Sequence, residues 1–246
     1  MELNYYVCAN LAAGEYIWIF SDDDIMEANA VEEALDRIRY NYNLIIANNS
    51  LWTNDFLSQV KQRIFPIEED VTFYDHNTLL GRIGLRLGFI SCVIIKKDAF
   101  LTLGKEEYES YVEYGFPFLL SVYAAVNREC RAHIIAKPIF AQRGASSDGY
   151  TDKAWWYKCF VAGSSLIFQE LQNKGFTKNA IHRAKHLVLK DYVMHDISFR
   201  RRSGEKLNGV FSLMLPYYKR HWFFWMVCVP MLFLPKCFTQ IPLDTV

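Results

Sequence analysis

The sequence lacks a charge of one prevailing sign: Lys and Arg together number 27, and so do Asp and Glu. A chain-wide basic field of the kind that holds nucleic acid is thereby absent, and no nucleic-acid partner is expected. It also lacks paired cysteines. The six, at positions 8, 92, 130, 159, 228 and 237, include no Cys-x-x-Cys, and several lie in apolar runs such as Phe89-Ile90-Ser91-Cys92-Val93-Ile94-Ile95. They read as reduced core residues of a cytoplasmic protein. The opening Met-Glu-Leu-Asn-Tyr-Tyr has neither the basic region nor the apolar run of a secretory leader. No internal repeat and no low-complexity tract appears. The uncharged stretch His221 to Leu234 is about 14 residues, short of the ~20 that a bilayer-spanning helix needs.

What is present is apolar and aromatic. Hydrophobic residues make up 52%, charged residues 22% and aromatics 16%, a balance that suits a folded domain with a large core or an interfacial surface. Residues 5–13 read as a short helix ending at Gly14. The run Tyr16-Ile17-Trp18-Ile19-Phe20 reads as a buried strand. A helix over 27–41 follows, with Val31, Leu35 and Ile38 spaced for its inward face. Leu44-Ile45-Ile46-Ala47 predicts a short strand, 48–70 an irregular polar stretch, and Val71 to Tyr74 a further strand.

A helix capped by Asn77 is predicted over 77–87. Phe89 to Lys96 is the strongest later strand and leads into a short helix over 97–103. Another helix is predicted over 113–128, with Pro117 in its first turn, and a kinked strand over 132–142. Beyond Gly144 the pattern becomes helical, with amphipathic segments at 151–174 and 177–195 and an aromatic segment at 208–238. The alternation predicts an α/β core over 1–145, built on a mainly parallel sheet flanked by helices, and a helical extension over 146–246.

One feature carries chemistry. Asp22-Asp23-Asp24 directly follows the apolar strand, and strand ends at one edge of an open α/β sheet are where such folds bind ligands. Adjacent carboxylates repel unless something positive lies between them. Mg²⁺ or Mn²⁺, shared with a diphosphate, answers that need. Two other readings stand beside it. The acids could cap the following helix and favour its dipole with no metal at all. As an EF-hand loop, the segment would place Met26 at position five and Glu27 where glycine is required.

The segment Ala9-Asn10-Leu11-Ala12-Ala13-Gly14-Glu15-Tyr16-Ile17-Trp18-Ile19-Phe20-Ser21-Asp22-Asp23-Asp24-Ile25 resembles the acidic segment of family 2 glycosyltransferases, which have the GT-A fold. The nearest flavour is the abequosyltransferase-like group of bacterial surface-polysaccharide enzymes. Leu44 to Asn48, the strand and Ile-Lys-Lys-Asp exit around Phe89 to Lys97, and Lys137-Pro138-Ile139 with Arg143-Gly144 extend the resemblance over most of residues 8–145.

The resemblance implies a GT-A-like sheet and transfer of a hexose or deoxyhexose from a nucleotide-sugar donor to a lipid-linked or polysaccharide acceptor of O-antigen or capsule type. It implies metal ligation by Asp23 and Asp24, with Asp22 and Arg143 on the substrate. If Asp22 and Asp24 are instead the spaced pair, the assignment moves by one. It also implies a base that accepts the proton of the attacking hydroxyl, for which Glu113 is the first positional match and Glu109 the second; a solvated acidic loop is the competing account of both. The family opens with strands around a Pro-Thr-Tyr-Asn-like turn, and nothing here matches them, so a core incomplete at its N-terminus is expected.

A non-catalytic remnant or interaction module is the alternative function, and a Mg²⁺-dependent phosphate-ester hydrolase a third. His182 and His186, four apart, read as a solvated helical pair. In the tail, Trp222 and Trp225 with Lys219, Arg220 and Lys236 suit peripheral attachment at the inner face of the plasma membrane; a buried helix capping the core is the rival reading.

Overall fold

The structure is a computed structural model that describes residues 2–144 and 152–234. It is an α/β fold whose central element is β3 (Leu44–Trp52). Leu44, Ile45, Ile46 and Ala47 are fully buried, and each of the three larger aliphatic side chains contributes about 1.5–3 kcal/mol on leaving water. On one side β3 pairs with β6 (Val93–Lys96), which in turn pairs with β1 (Tyr16–Trp18). On the other it pairs with β7 (Ala132–Arg143), which carries β2 (Ile25–Met26). The sheet order is β1-β6-β3-β7-β2, with β4 (Gln59–Lys61) added to β3 and β5 (Val71–Phe73) added to β7.

The expected mainly parallel sheet is corrected here. Among the described residues only β3 and β7 run parallel; β1–β6, β3–β6, β3–β4, β2–β7 and β5–β7 are antiparallel. A continuous apolar run marks a strand covered on both faces, and this holds for a central antiparallel strand as much as for a parallel one. Strand β1 pairs only with β6, so its outer edge has no strand partner among the described residues.

Several element boundaries also differ. Strand β3 continues through Asn48, Asn49 and Ser50, where an irregular stretch was expected. The Asn48 side chain makes this possible. Its amide donates to the carbonyls of Phe65 and Ala136, both at 2.9 Å, and its oxygen accepts from the Phe65 N–H at 2.9 Å. A polar residue can lie at 0% exposure because its groups are paired. The β3–β7 register shifts between Ala47 and Asn48, opposite Pro138, which is the kink expected in β7. Helix α3 (His76–Ile83) is capped by Asp75 rather than Asn77: the carboxylate accepts from the N–H groups of Asn77 at 3.3 Å and Thr78 at 2.8 Å. Residues 84–88 and 90–92 form 3₁₀ turns, so β6 begins only at Val93.

Helix α2 (Ala30–Ile38) is rotated from expectation. Ala30 and Ala34 face the sheet, while Val31 and Leu35 are 55% and 52% exposed. The small alanines allow close approach, and Glu33 and Arg37 fix the rotation by pairing with Lys137 and Asp70 across the sheet edge.

The helical part runs α7 (Lys153–Tyr157), α8 (Ser164–Asn173), α9 (Lys178–Leu187), α10 (Met194–Arg202), α11 (Val210–Tyr218) and α12 (Val229–Phe233). The α7–α8 and α9–α10 pairs are each joined through a π-helical turn, Lys158–Gly163 and Val188–Val193. Buried residues from 6 to 231 form one continuous cluster. In the C-terminal segment His221, Phe224, Cys228 and Met231 turn inward, and Trp222, Trp225, Met226 and Phe233 turn out. The segment thus covers the core and also exposes an aromatic face. No described helix is long and apolar enough to cross a membrane. Cys92, Cys159 and Cys228 are buried and free, Cys130 is half-buried, and Cys8 is exposed rather than in the core. Cys237 and Lys236 lie outside the described residues, as does the expected boundary at 145–146.

Candidate active site

Asp22, Asp23 and Asp24 lie between β1 and β2. Asp22 and Asp23 are exposed, and Asp24 is half-buried. The Asp24 carboxylate is held from two directions: the Ser91 hydroxyl donates to Oδ2 at 2.7 Å and the Arg143 backbone N–H donates to Oδ1 at 3.1 Å. Ser91 is itself fixed. Its hydroxyl accepts from the Ser21 N–H at 3.1 Å, and its carbonyl accepts from the Trp18 indole at 2.8 Å. The Ser21 hydroxyl bonds Asp23. Burial raises the Asp24 pKa above the ordinary carboxylate value, a shift opposed by the Ser91 and Arg143 hydrogen bonds.

The structure therefore brings Arg143 to the acidic turn, by its backbone. Its guanidinium lies over the Phe56 ring, 5.2 Å from the centroid. Glu109 and Glu113 are exposed. Glu109, on α5 (Lys105–Ser110), pairs with Lys105 at 3.7 Å. Glu113 lies in the 3₁₀ turn Val112–Tyr114 and raises the pKa of the Tyr114 phenol through a hydrogen bond and its charge. No hydrogen bond or ion pair ties either glutamate to the acidic turn among the described residues.

A cavity of about 280 Å³ is lined by residues next in the chain to Ser91, Arg143 and the Glu113 turn. Phe89 and Cys92 bring the Ser91 loop to it, Gln142 brings the end of β7, and Phe116 brings the chain just after Glu113. Asn49 donates to the Gln142 side chain at 2.8 Å within its wall. Arg86 also lines it, locked to Asp191 at 2.7 Å. Phe116 holds a left-handed backbone at φ 65° directly before Pro117 starts α6 (Pro117–Arg128). The cavity is mostly apolar with a few fixed polar groups, the usual make-up of a small-molecule site.

Ser91, Asn49, Gln142 and Arg86 were absent from the residues picked out of the sequence. A signal existed for Ser91, a hydroxyl inside the apolar run Phe89 to Ile95. None existed for the others, which meet only through β3, β7 and the Val188–Val193 turn.

No group of three or more His, Cys, Asp or Glu that could hold a metal occurs among the described residues. Two exposed carboxylates and a third already accepting two hydrogen bonds do not make a closed protein cage. They do fit an ion such as Mg²⁺ that keeps waters and takes only one or two carboxylates beside substrate phosphates.

The chain is similar to a glycosyltransferase, which bears out the resemblance carried by the acidic segment. That relative is the abequosyltransferase RfbV of Salmonella typhimurium, 22% identical over 199 residues that make up 76% of this chain. The match spans 58% of the relative's own length. No family model matches. Among solved structures, S. aureus TarS 1–349 in complex with UDP-GlcNAc is similar with a TM-score of 0.48 and 14% identity, over 84% of this chain and 54% of that one. The UDP complex of the same protein gives 0.46 and 14%, over 82% and 53%.

Proposed function

We propose that this chain acts as a glycosyltransferase that moves a hexose or deoxyhexose from a nucleotide-sugar to a lipid-linked or polysaccharide acceptor. The observation that carries the reading is Asp24, clamped by Ser91 and the Arg143 N–H, whose chain neighbours Cys92 and Gln142 line the 280 Å³ cavity. The clamp orients the acidic turn, in which Asp23 and Asp24 would be the protein's share of a Mg²⁺ or Mn²⁺ site and Asp22 would face the substrate. When bound, the ion would offset charge on the leaving diphosphate.

The cavity beside it receives the sugar. Phe89 and Phe116 give it apolar walls, and Asn49 and Gln142 offer hydroxyl-matching amides. Glu113 is the base in this reading, an exposed carboxylate positioned to accept a hydroxyl proton. The exposed face of Trp222, Trp225, Met226 and Phe233 would bring the molecule to a membrane surface, where a lipid-linked acceptor lies.

The test is binding of a panel of nucleoside diphosphates with and without Mg²⁺ or Mn²⁺, repeated with Asp23→Ala and Asp24→Ala. Metal-dependent binding of one diphosphate, lost in both variants, is expected. Absence of metal-dependent binding to every member would replace transfer by the non-catalytic reading.

A further inference from the structure

The two histidines dismissed in sequence as a solvated pair acquire a third in space. Across from α9, His221 stacks on His182 with centroids 4.3 Å apart and planes 15° apart, and on His186 at 5.6 Å and 17°. His221 is 3% exposed, and among the described residues its ring nitrogens have no well-formed hydrogen bond, only a weak approach to the His182 backbone. It is fixed in place by its own N–H, which donates to the Tyr218 carbonyl at 2.8 Å. A buried imidazole so incompletely matched has hydrogen-bonding capacity to spare for a further partner.

The cavity it lines supplies the context. About 460 Å³ in volume, it is also lined by Lys178 and Lys185 of α9 and by Lys219 and Arg220 just after α11, with no Asp or Glu in the wall among the described residues. None of these four cations is in an ion pair among the described residues. Lys185 is half-buried with its ammonium over the Tyr218 ring at 5.8 Å. Four like charges around one hollow repel unless an anion joins them.

From this geometry we infer that the α9–α11 cavity is a binding site for a phosphate or diphosphate group. Every charged or polar side chain named in the wall can donate a hydrogen bond, and a phosphate presents only acceptors and more than one negative charge. A metal is a poorer occupant. The three rings lie nearly parallel instead of converging on a point, and no described trio of ligands could hold an ion. The site is built on elements that carry none of the acidic turn, so it stands independently of the transfer reading. Trp222, 58% exposed, stacks on His186 at 5.8 Å beside the cavity. The phosphate could therefore arrive on a soluble ester or on a lipid headgroup, and the experiment separates the two.

The full chain is titrated calorimetrically with inorganic pyrophosphate in EDTA, which removes any metal-mediated contribution of Asp22 to Asp24. Saturable binding is expected. Lys178→Glu and Arg220→Glu, both at exposed positions, should each weaken it roughly tenfold or more with unchanged melting temperature. His221→Phe, which keeps the stacking and removes the nitrogens, should weaken it as well. In parallel, co-sedimentation is measured with phosphatidylcholine vesicles and with the same vesicles containing phosphatidic acid. Retention only on phosphatidic acid, sensitive to Lys178→Glu, assigns a lipid headgroup, whereas pyrophosphate binding without it assigns a soluble ester. A folded wild-type chain that binds neither probe overturns the inference. So does binding that both charge reversals leave unchanged.

Discussion

Ser91 reaches across from the loop before β6 to donate a 2.7 Å hydrogen bond to Asp24, 67 residues earlier in the chain. The same hydroxyl accepts the Ser21 N–H, so one atom joins both ends of the acidic turn to the sheet. Ser91 is fully buried. Ser91→Ala should lower stability by about 1–3 kcal/mol, because it leaves partly buried partners unmatched. It should also move the Asp24 carboxyl titration to higher pH, since the Ser91 bond is among the influences that hold it down. Urea denaturation and carboxyl ¹³C NMR check the two effects.

Asp70 and His133 give the stability an acid limb. Burial pushes the Asp70 pKa up, but the Ala136 N–H, Arg37 and His133 outweigh it and the net shift is downward. A depressed carboxylate contributes stability that is fully present above the ordinary value of 3.8 and lost as pH falls through the lower folded value. Burial lowers the His133 pKa, against the pull of Asp70. The unfolded chain therefore takes up that proton first, and stability begins to fall below about pH 6.5. Denaturation midpoints from pH 8 to pH 3 should decline in two stages, and Asp70→Asn should flatten the lower one.

Gly163 tests how closely the helical part supports the Glu113 turn. A Cβ at this position would fall on the carbonyl oxygen of Tyr114. Backbone atoms on both sides leave little room to yield. Gly163→Ala is expected to cost about 1–3 kcal/mol from overpacking and to loosen residues 112–116. Amide exchange in that stretch is the readout, and unchanged protection would refute the coupling.

Arg86 and Asp191 meet at 2.7 Å with side chains 23% and 13% exposed. Arg86→Met leaves a largely buried carboxylate unpaired and should destabilise by roughly 1–3 kcal/mol. Adding Asp191→Asn should restore most of that loss, giving a favourable coupling in a double-mutant cycle. Equal and additive losses would show that the pair contributes little.

The parts of this fold legible in the sequence are those set by local pattern. Leu44 to Ala47 and Val93 to Ile95 are strands because their runs are apolar and largely β-branched, and α6 begins at Pro117 because proline suits a first helical turn. Asn48 to Trp52 was hidden because the partners that let Asn48 be buried lie 17 and 88 residues away. The face of α2 was misread because its alanine stripe and its Val31–Leu35 stripe lie side by side, and only the neighbouring sheet selects between them.

The candidate site divides in the same way. Three adjacent aspartates after an apolar strand determined, from sequence alone, that charge would gather at one strand end and suggested what could neutralise it. Tertiary structure decided which aspartate is clamped and which two stay exposed, because Ser91 and Arg143 reach Asp24 only once β6 and β7 flank β3. It also decided that the sheet is largely antiparallel, which no single strand encodes, and that His221 joins His182 and His186. Hydrophobic periodicity acts over a few residues and is written in the chain. Hydrogen bonds between distant polar groups form only after folding has excluded water and chosen their partners.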